Sequence, residues 1–118
     1  MSEIQVTARL KIHKGKLTEF KRIAEKCMHS VRTKDSGTLQ YDWFFSDDQS
    51  ECVVLERYRD SQAVLEHSVN LGDTLRELLE TCSGSGEVFG SPSPDLMEGL
   101  KRIGAPVYLP YQSFESAK

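Results

Sequence analysis

The hydrophobic period of this chain switches along its length, and the order of the switches constrains the fold more than any other feature. Ile4, Val6, Ala8, Leu10 and Ile12 alternate with Gln5, Thr7, Arg9 and Lys11, a period of two that marks a half-buried strand. His13-Lys14-Gly15-Lys16 turns the chain. Leu17, Phe20, Ile23, Ala24, Cys27, Met28 and Val31 then recur at three- and four-residue steps, predicting a helix with one apolar stripe that ends near Arg32. Asp35-Ser36-Gly37 reads as a turn. Leu39, Tyr41, Trp43 and Phe45 alternate with Gln40, Asp42 and Phe44. Beyond the polar reversal Asp47-Asp48-Gln49-Ser50, the run from Cys52 to Tyr58 completes a hairpin.

Asp60 or Ser61 caps the next helix, whose Ala63, Val64, His67 and Ser68 share a face. A second helical piece, after Gly72 or from Leu71, presents Leu75, Leu78, Leu79 and Cys82. A short strand is expected around Val88 and Phe89. Ser93-Pro94-Asp95 starts a further helix carrying Leu96, Met97, Leu100 and Ile103, and Gly104 stops it. The tail Val107-Tyr108-Leu109-Pro110-Tyr111 reads as extended, and its flanking prolines confine it to a sheet edge or to a partner's surface.

The resulting order, β-α-β-β-α-β with a helix and a tail, is the split βαβ, ferredoxin-like plan of an α+β domain with a four-stranded antiparallel sheet. A single domain over residues 1–118 is expected, with its core at about 3–91 and the extra helix and tail at 92–118. Helices in this plan cover one sheet face only. The other face carries Phe44, Val53 and Leu55, whose exposure would forgo about 4–6 kcal/mol at roughly 25 cal/mol per Å². A homodimer that stacks two such faces is therefore expected, with Arg9, Asp42 and Arg57 available as charge partners.

A formal charge of −3 without a basic stripe argues against nucleic acid. Cys27, Cys52 and Cys82 are odd in number and widely spaced, which suits reduced core thiols. Met1-Ser2-Glu3-Ile4-Gln5 shows neither a basic region nor a long apolar run, and nothing approaches the roughly 20 apolar residues of a membrane span. The expected location is the cytoplasm, away from membranes.

Three stretches resemble one family. Leu55-Glu56-Arg57-Tyr58-Arg59-Asp60-Ser61-Gln62-Ala63-Val64-Leu65-Glu66-His67 has a strand ending in an acid and an aromatic, a polar turn, Ala on the next helix and His four residues later. Lys14-Gly15-Lys16 and Ser36-Gly37-Thr38-Leu39-Gln40-Tyr41 fit the same pattern. Together they resemble the antibiotic biosynthesis monooxygenase family over roughly residues 4–90. The resemblance implies a dimeric α/β barrel with a cavity between sheet and helices. It also implies oxidation of quinols or anthrones by molecular oxygen without metal, flavin or haem. A deprotonated, electron-rich phenol can itself reduce oxygen, so the protein supplies a dry pocket, orientation and a base.

Some relatives degrade haem with an Asn on the first strand, a Trp on the helix after strand three and a later His. Here the first strand offers Thr7 and Arg9, the single Trp is Trp43 on strand two, and no His follows His67. Haem degradation is not expected.

His67 is the candidate base or binding residue, or else a brace bonded to Glu56 or a backbone carbonyl. Tyr41, Trp43 and Tyr58 are candidates to grip a planar aromatic, or plain core. Glu56 is a second candidate base if desolvated, against a structural ion pair with Arg9 or Arg57. Phe20, Ala24, Met28, Leu75 and Leu79 are wall if a pocket exists. His13 and His29 are expected to be exposed. No cofactor or metal site is expected, because no CxxC, HxxxH, phosphate loop or dinucleotide fingerprint is present. The expected activity is a cofactor-independent monooxygenase acting on a small aromatic, with molecular oxygen as co-substrate. The alternatives are an isomerase using the same cavity, and a non-enzymatic binding or stress-associated dimer.

Overall fold

The architecture is that of a computed structural model, which describes residues 3–114; the expected domain limits at 1 and 118 lie outside them. The elements are β1 (Ile4–Ile12), α1 (Leu17–Lys34), β2 (Thr38–Phe45), β3 (Glu51–Tyr58), α2 (Ser61–Leu71), α3 (Asp73–Leu79), β4 (Cys82–Phe89), α4 (Pro94–Ile103) and β5 (Val107–Tyr108). The split βαβ core stands as the periodicity predicts. The sheet differs: it has five strands in the order β2-β3-β1-β4-β5, with β5 parallel to β4. It is mixed rather than purely antiparallel, and within one chain it is open rather than closed into a barrel. The tail takes the edge position that Pro106 and Pro110 permit.

Two local expectations fail for identifiable reasons. Cys82 opens β4 instead of ending a helix, because Thr81 closes α3 through its Oγ1 on the Leu78 carbonyl, 2.6 Å away. The strand is hard to see in sequence because its packing demands small residues: a Cβ at Gly84 would lie 3.1 Å from Leu79 and 3.2 Å from Leu10. Leu39 does not share the inner face with Tyr41. The β2–β3 register shifts between Thr38 and Gln40, and this bulge leaves Leu39 exposed.

All helices but their ends follow the apolar stripes that predict them. Phe20, Ile23 and Cys27 of α1 pack on Leu10, Cys52 and Val54 of the sheet. Asp60 caps α2 by accepting from the Ala63 amide at 2.9 Å, and Gly72, at φ 52°, breaks α2 from α3. A second cluster joins Ile4 and Val88 to Leu96 and Leu100 of α4. Cys27, Cys52 and Cys82 are buried free thiols, and burial pushes Cys27 and Cys52 up to about 11.

The uncovered sheet face carries cross-strand rows. Phe44 lies beside Val53 and Val53 beside Arg9; Asp42 lies beside Leu55 and Leu55 beside Thr7. Phe44 is 53% and Leu55 36% exposed. Among the described residues, no helix is long and apolar enough to cross a membrane.

Candidate functional site

Strand alternation sends Tyr41, Trp43, Val54, Glu56 and Tyr58 to the helix-covered face, where register puts Glu56 between Val6 and Tyr41. The helices do not fill the space above this row. A cavity of about 210 Å³ remains, lined from the sheet by Val6, Ala8, Tyr41, Trp43, Val54, Glu56 and Tyr58 and from α2 and α3 by His67, Leu71 and Leu75. Leu96, Leu100 and Ile103 of α4 line its remaining side. All five candidates from the sequence thus border one space: His67, Glu56, Tyr41, Trp43 and Tyr58.

Glu56 is not in the ion pair expected of it. Residues 56 and 57 point to opposite faces, and Arg57 bonds Glu3 at 3.1 Å on the outer one. Arg9 also faces outward, beside Val53. The Glu56 carboxyl accepts a hydrogen bond from the Tyr58 hydroxyl instead. Desolvation raises its pKa from the ordinary 4.5 to about 7, and the Tyr58 bond only partly opposes this. Tyr58 and Tyr41 are pushed upward, chiefly by burial, and stay protonated.

His67 is braced, but by neither expected partner. Its Nδ1 lies 2.8 Å from Asp35 Oδ2, and its ring packs edge-on against Tyr41 and tilted against Tyr58, at 5.1 and 5.2 Å between centroids. Asp35 caps the C-terminal end of α1 with its side chain only 2% exposed. Thr38 Oγ1 donates to Asp35 Oδ2 at 2.6 Å and Asn70 Nδ2 donates to Oδ1 at 2.8 Å. Desolvation pushes the Asp35 carboxyl upward, but the bonds from Asn70, Thr38 and His67 outweigh it and hold the group below its ordinary value. Sequence reading assigned Asp35 to a turn and missed this role. The only trace is an acid three residues ahead of a Thr where a strand begins.

The remaining candidates divide. Leu75 lines the cavity, whereas Leu79 is 44% exposed. Phe20, Ala24 and Met28 border a separate outer groove of about 510 Å³ between α1 and β2, with Trp43 as the wall common to both spaces. Trp43 Nε1 is buried without a hydrogen-bond partner. His13, bonded to Ser83 at 3.2 Å, and His29 lie at the surface. Among the described residues, no cluster of three or more His, Cys, Asp or Glu side chains is placed to hold a metal ion.

The molecule is thus a ferredoxin-like α+β domain whose mostly apolar cavity is bordered by Tyr58, hydrogen-bonded to Glu56, and by His67, bonded to Asp35 behind it. The family model for the antibiotic biosynthesis monooxygenases matches residues 4–70, and the chain belongs to that family. No curated protein matches it. Among solved structures it is similar to MupZ from Pseudomonas fluorescens, with a TM-score of 0.81 at 20% identity over 97% of this chain and 90% of that one. That span has to include α4 and β5. It is also similar to Rv0793 from Mycobacterium tuberculosis, with a TM-score of 0.66 at 24% identity over 74% and 92% of the two chains. SnoaB, a cofactor-independent oxygenase from Streptomyces nogalater, matches with a TM-score of 0.66 at 14% identity over 79% and 96%. At these identities the likeness is one of fold.

Proposed function

We propose that the protein is a cofactor-independent monooxygenase acting on a small, electron-rich phenol or quinol. The observation that carries this reading is the placement of a buried carboxyl with a pKa of about 7 in the same cavity as an Asp-bonded imidazole. Family membership supports the monooxygenase class, and the oxygenase SnoaB is a relative in fold that works without a cofactor.

Size narrows the substrate. An apolar cavity of about 150 Å³ holds a benzene, so about 210 Å³ suits one substituted ring better than three fused ones. It is also smaller than the roughly 300 Å³ of drug-sized pockets. His67 takes the phenolic proton. The phenolate passes one electron to oxygen, and the radical pair joins at a ring carbon as a peroxide, which takes a proton back from His67. Glu56, poised near neutrality, removes the proton on that carbon and returns it to the hydroxide leaving as the O–O bond breaks. The sum is phenol plus oxygen to quinone plus water. Tyr41, Trp43 and Tyr58 hold the ring.

Two groups able to exchange protons across one cavity also suit an isomerase, which would need no oxygen. An oxygen electrode separates the readings. Uptake with single-ring quinols, lost in His67→Ala while circular dichroism shows the fold intact, is the expected result. Turnover under argon would favour the isomerase, and uptake unchanged in His67→Ala would remove His67 from the chemistry. The outer sheet face is proposed to seat a second copy, since Phe44 and Leu55 are otherwise left in water.

A further inference from the structure

We infer that Asp35 is the positioning residue that fixes the tautomer of His67, so that the ring presents Nε2 to the cavity as a bare acceptor. This rests on reading His67 as the base, but it is measurable without turnover.

The chain of reasoning starts at the carboxylate. Asp35 sits at the C-terminal end of an 18-residue helix, where the macrodipole disfavours negative charge, and its side chain is almost wholly buried. Both facts count against a carboxylate with nothing but a packing role. Thr38 and Asn70 hold it in place, one on each oxygen. A hydroxyl and an amide nitrogen both donate, so the carboxyl accepts from each. Ionised, it has no proton of its own to give. The contact at 2.8 Å to His67 Nδ1 can then be a hydrogen bond only if Nδ1 carries the hydrogen. In the neutral ring this leaves Nε2 with a free lone pair.

The hydrogen bonds among the described residues engage the ring at Nδ1, and His67 itself lines the cavity between Tyr41 and Tyr58. With Nδ1 held by Asp35, Nε2 is the ring nitrogen left for a bound molecule. The titratable groups around the ring are Asp35 from the end of α1, Tyr41 from β2 and Glu56 and Tyr58 from β3. Only Asp35 bonds Nδ1. This is the orientation a base needs to take a proton from a bound hydroxyl.

Two-bond nitrogen–proton NMR of uniformly labelled protein, at a pH where the ring is neutral, reads the tautomer directly; the signal absent from His67→Gln assigns the residue. The expected wild-type pattern is a protonated Nδ1 and an unprotonated Nε2. In Asp35→Asn the new amide can donate to Nδ1, so the proton should move to Nε2, with kcat falling on the order of 10²–10⁴-fold and KM nearly unchanged. A wild-type ring protonated at Nε2 would overturn the inference, and that measurement needs no variant to fold. So would an Asp35→Asn protein that folds and keeps both the tautomer and its rate. If the tautomer switches as expected but no quinol is ever oxidised, the positioning role stands and the oxygenase reading falls.

Discussion

Glu56 is the residue at which fold and chemistry pull in opposite directions. Its folded pKa, about 7, lies above the ordinary 4.5, so the native state prefers it protonated. Its contribution is complete below pH 4.5 and is lost as pH rises through 7, where the buried group has to ionise. The cost across that window is up to about 3 kcal/mol. Urea denaturation at pH 5 and pH 8 should show wild type weaker at pH 8 and a clearly smaller difference in Glu56→Gln. Equal slopes would mean that the carboxyl ionises freely. Asp35 works with the opposite sign: its lowered pKa stabilises the fold above its ordinary 3.8 and that support fades as pH falls further. Stability should therefore be greatest between these windows. Tyr58 tunes the first of them, because its hydrogen bond favours the ionised carboxyl. Tyr58→Phe should move the apparent pKa of Glu56 upward, read by infrared titration of the buried carboxyl; a downward move would show that the bond acts on the neutral acid.

At the scale of elements, the site depends on how closely α2 approaches the start of β2. Any side chain at position 37 would bring its Cβ within 2.5 Å of the Ala63 Cβ, so Gly37 lets the helix bearing His67 come down onto the Asp35 turn. Gly37→Ala should cost about 1–3 kcal/mol through overpacking and lengthen the His67–Asp35 contact, as thermal unfolding and the histidine NMR signal would report. Ser36-Gly37 and the Ala63–His67 spacing were each visible in the sequence as motif, but that they meet was not, since the close backbone approach at Gly37 shows only in the fold. Asp35 and Asn70 were not visible as partners, because one closes a turn and the other ends a helix, and only the packing of α1 against α2 joins them. The roof was equally hidden. The stripe Leu96, Leu100 and Ile103 foretold helix α4, but periodicity says which face is apolar and not what it covers. Leu100→Ala should enlarge the cavity, cost about 2–4 kcal/mol and admit two-ring quinols that wild type excludes, measurable by calorimetric binding.

For the whole molecule, the helices lie on one side and the apolar rows of the other side remain open. Phe44→Asp with Leu55→Asp should give a monomer by light scattering with an unchanged circular dichroism spectrum; a wild-type chain already monomeric at high micromolar concentration would remove the proposed pairing. The rim of the sheet sets a further limit on assembly. At one margin lies β5, two residues long and set between Pro106 and Pro110, and a proline offers no amide hydrogen for another chain to grip. Among the described residues, strands can thus be recruited along β2 and along the part of β4 before Val88 that β5 leaves unpaired, but not at β5 itself. The short β5 therefore blunts just one end of that margin, so under crowding any edge-to-edge contact should form at β2 or at the glycine-bearing stretch of β4 and spare the proline-flanked end.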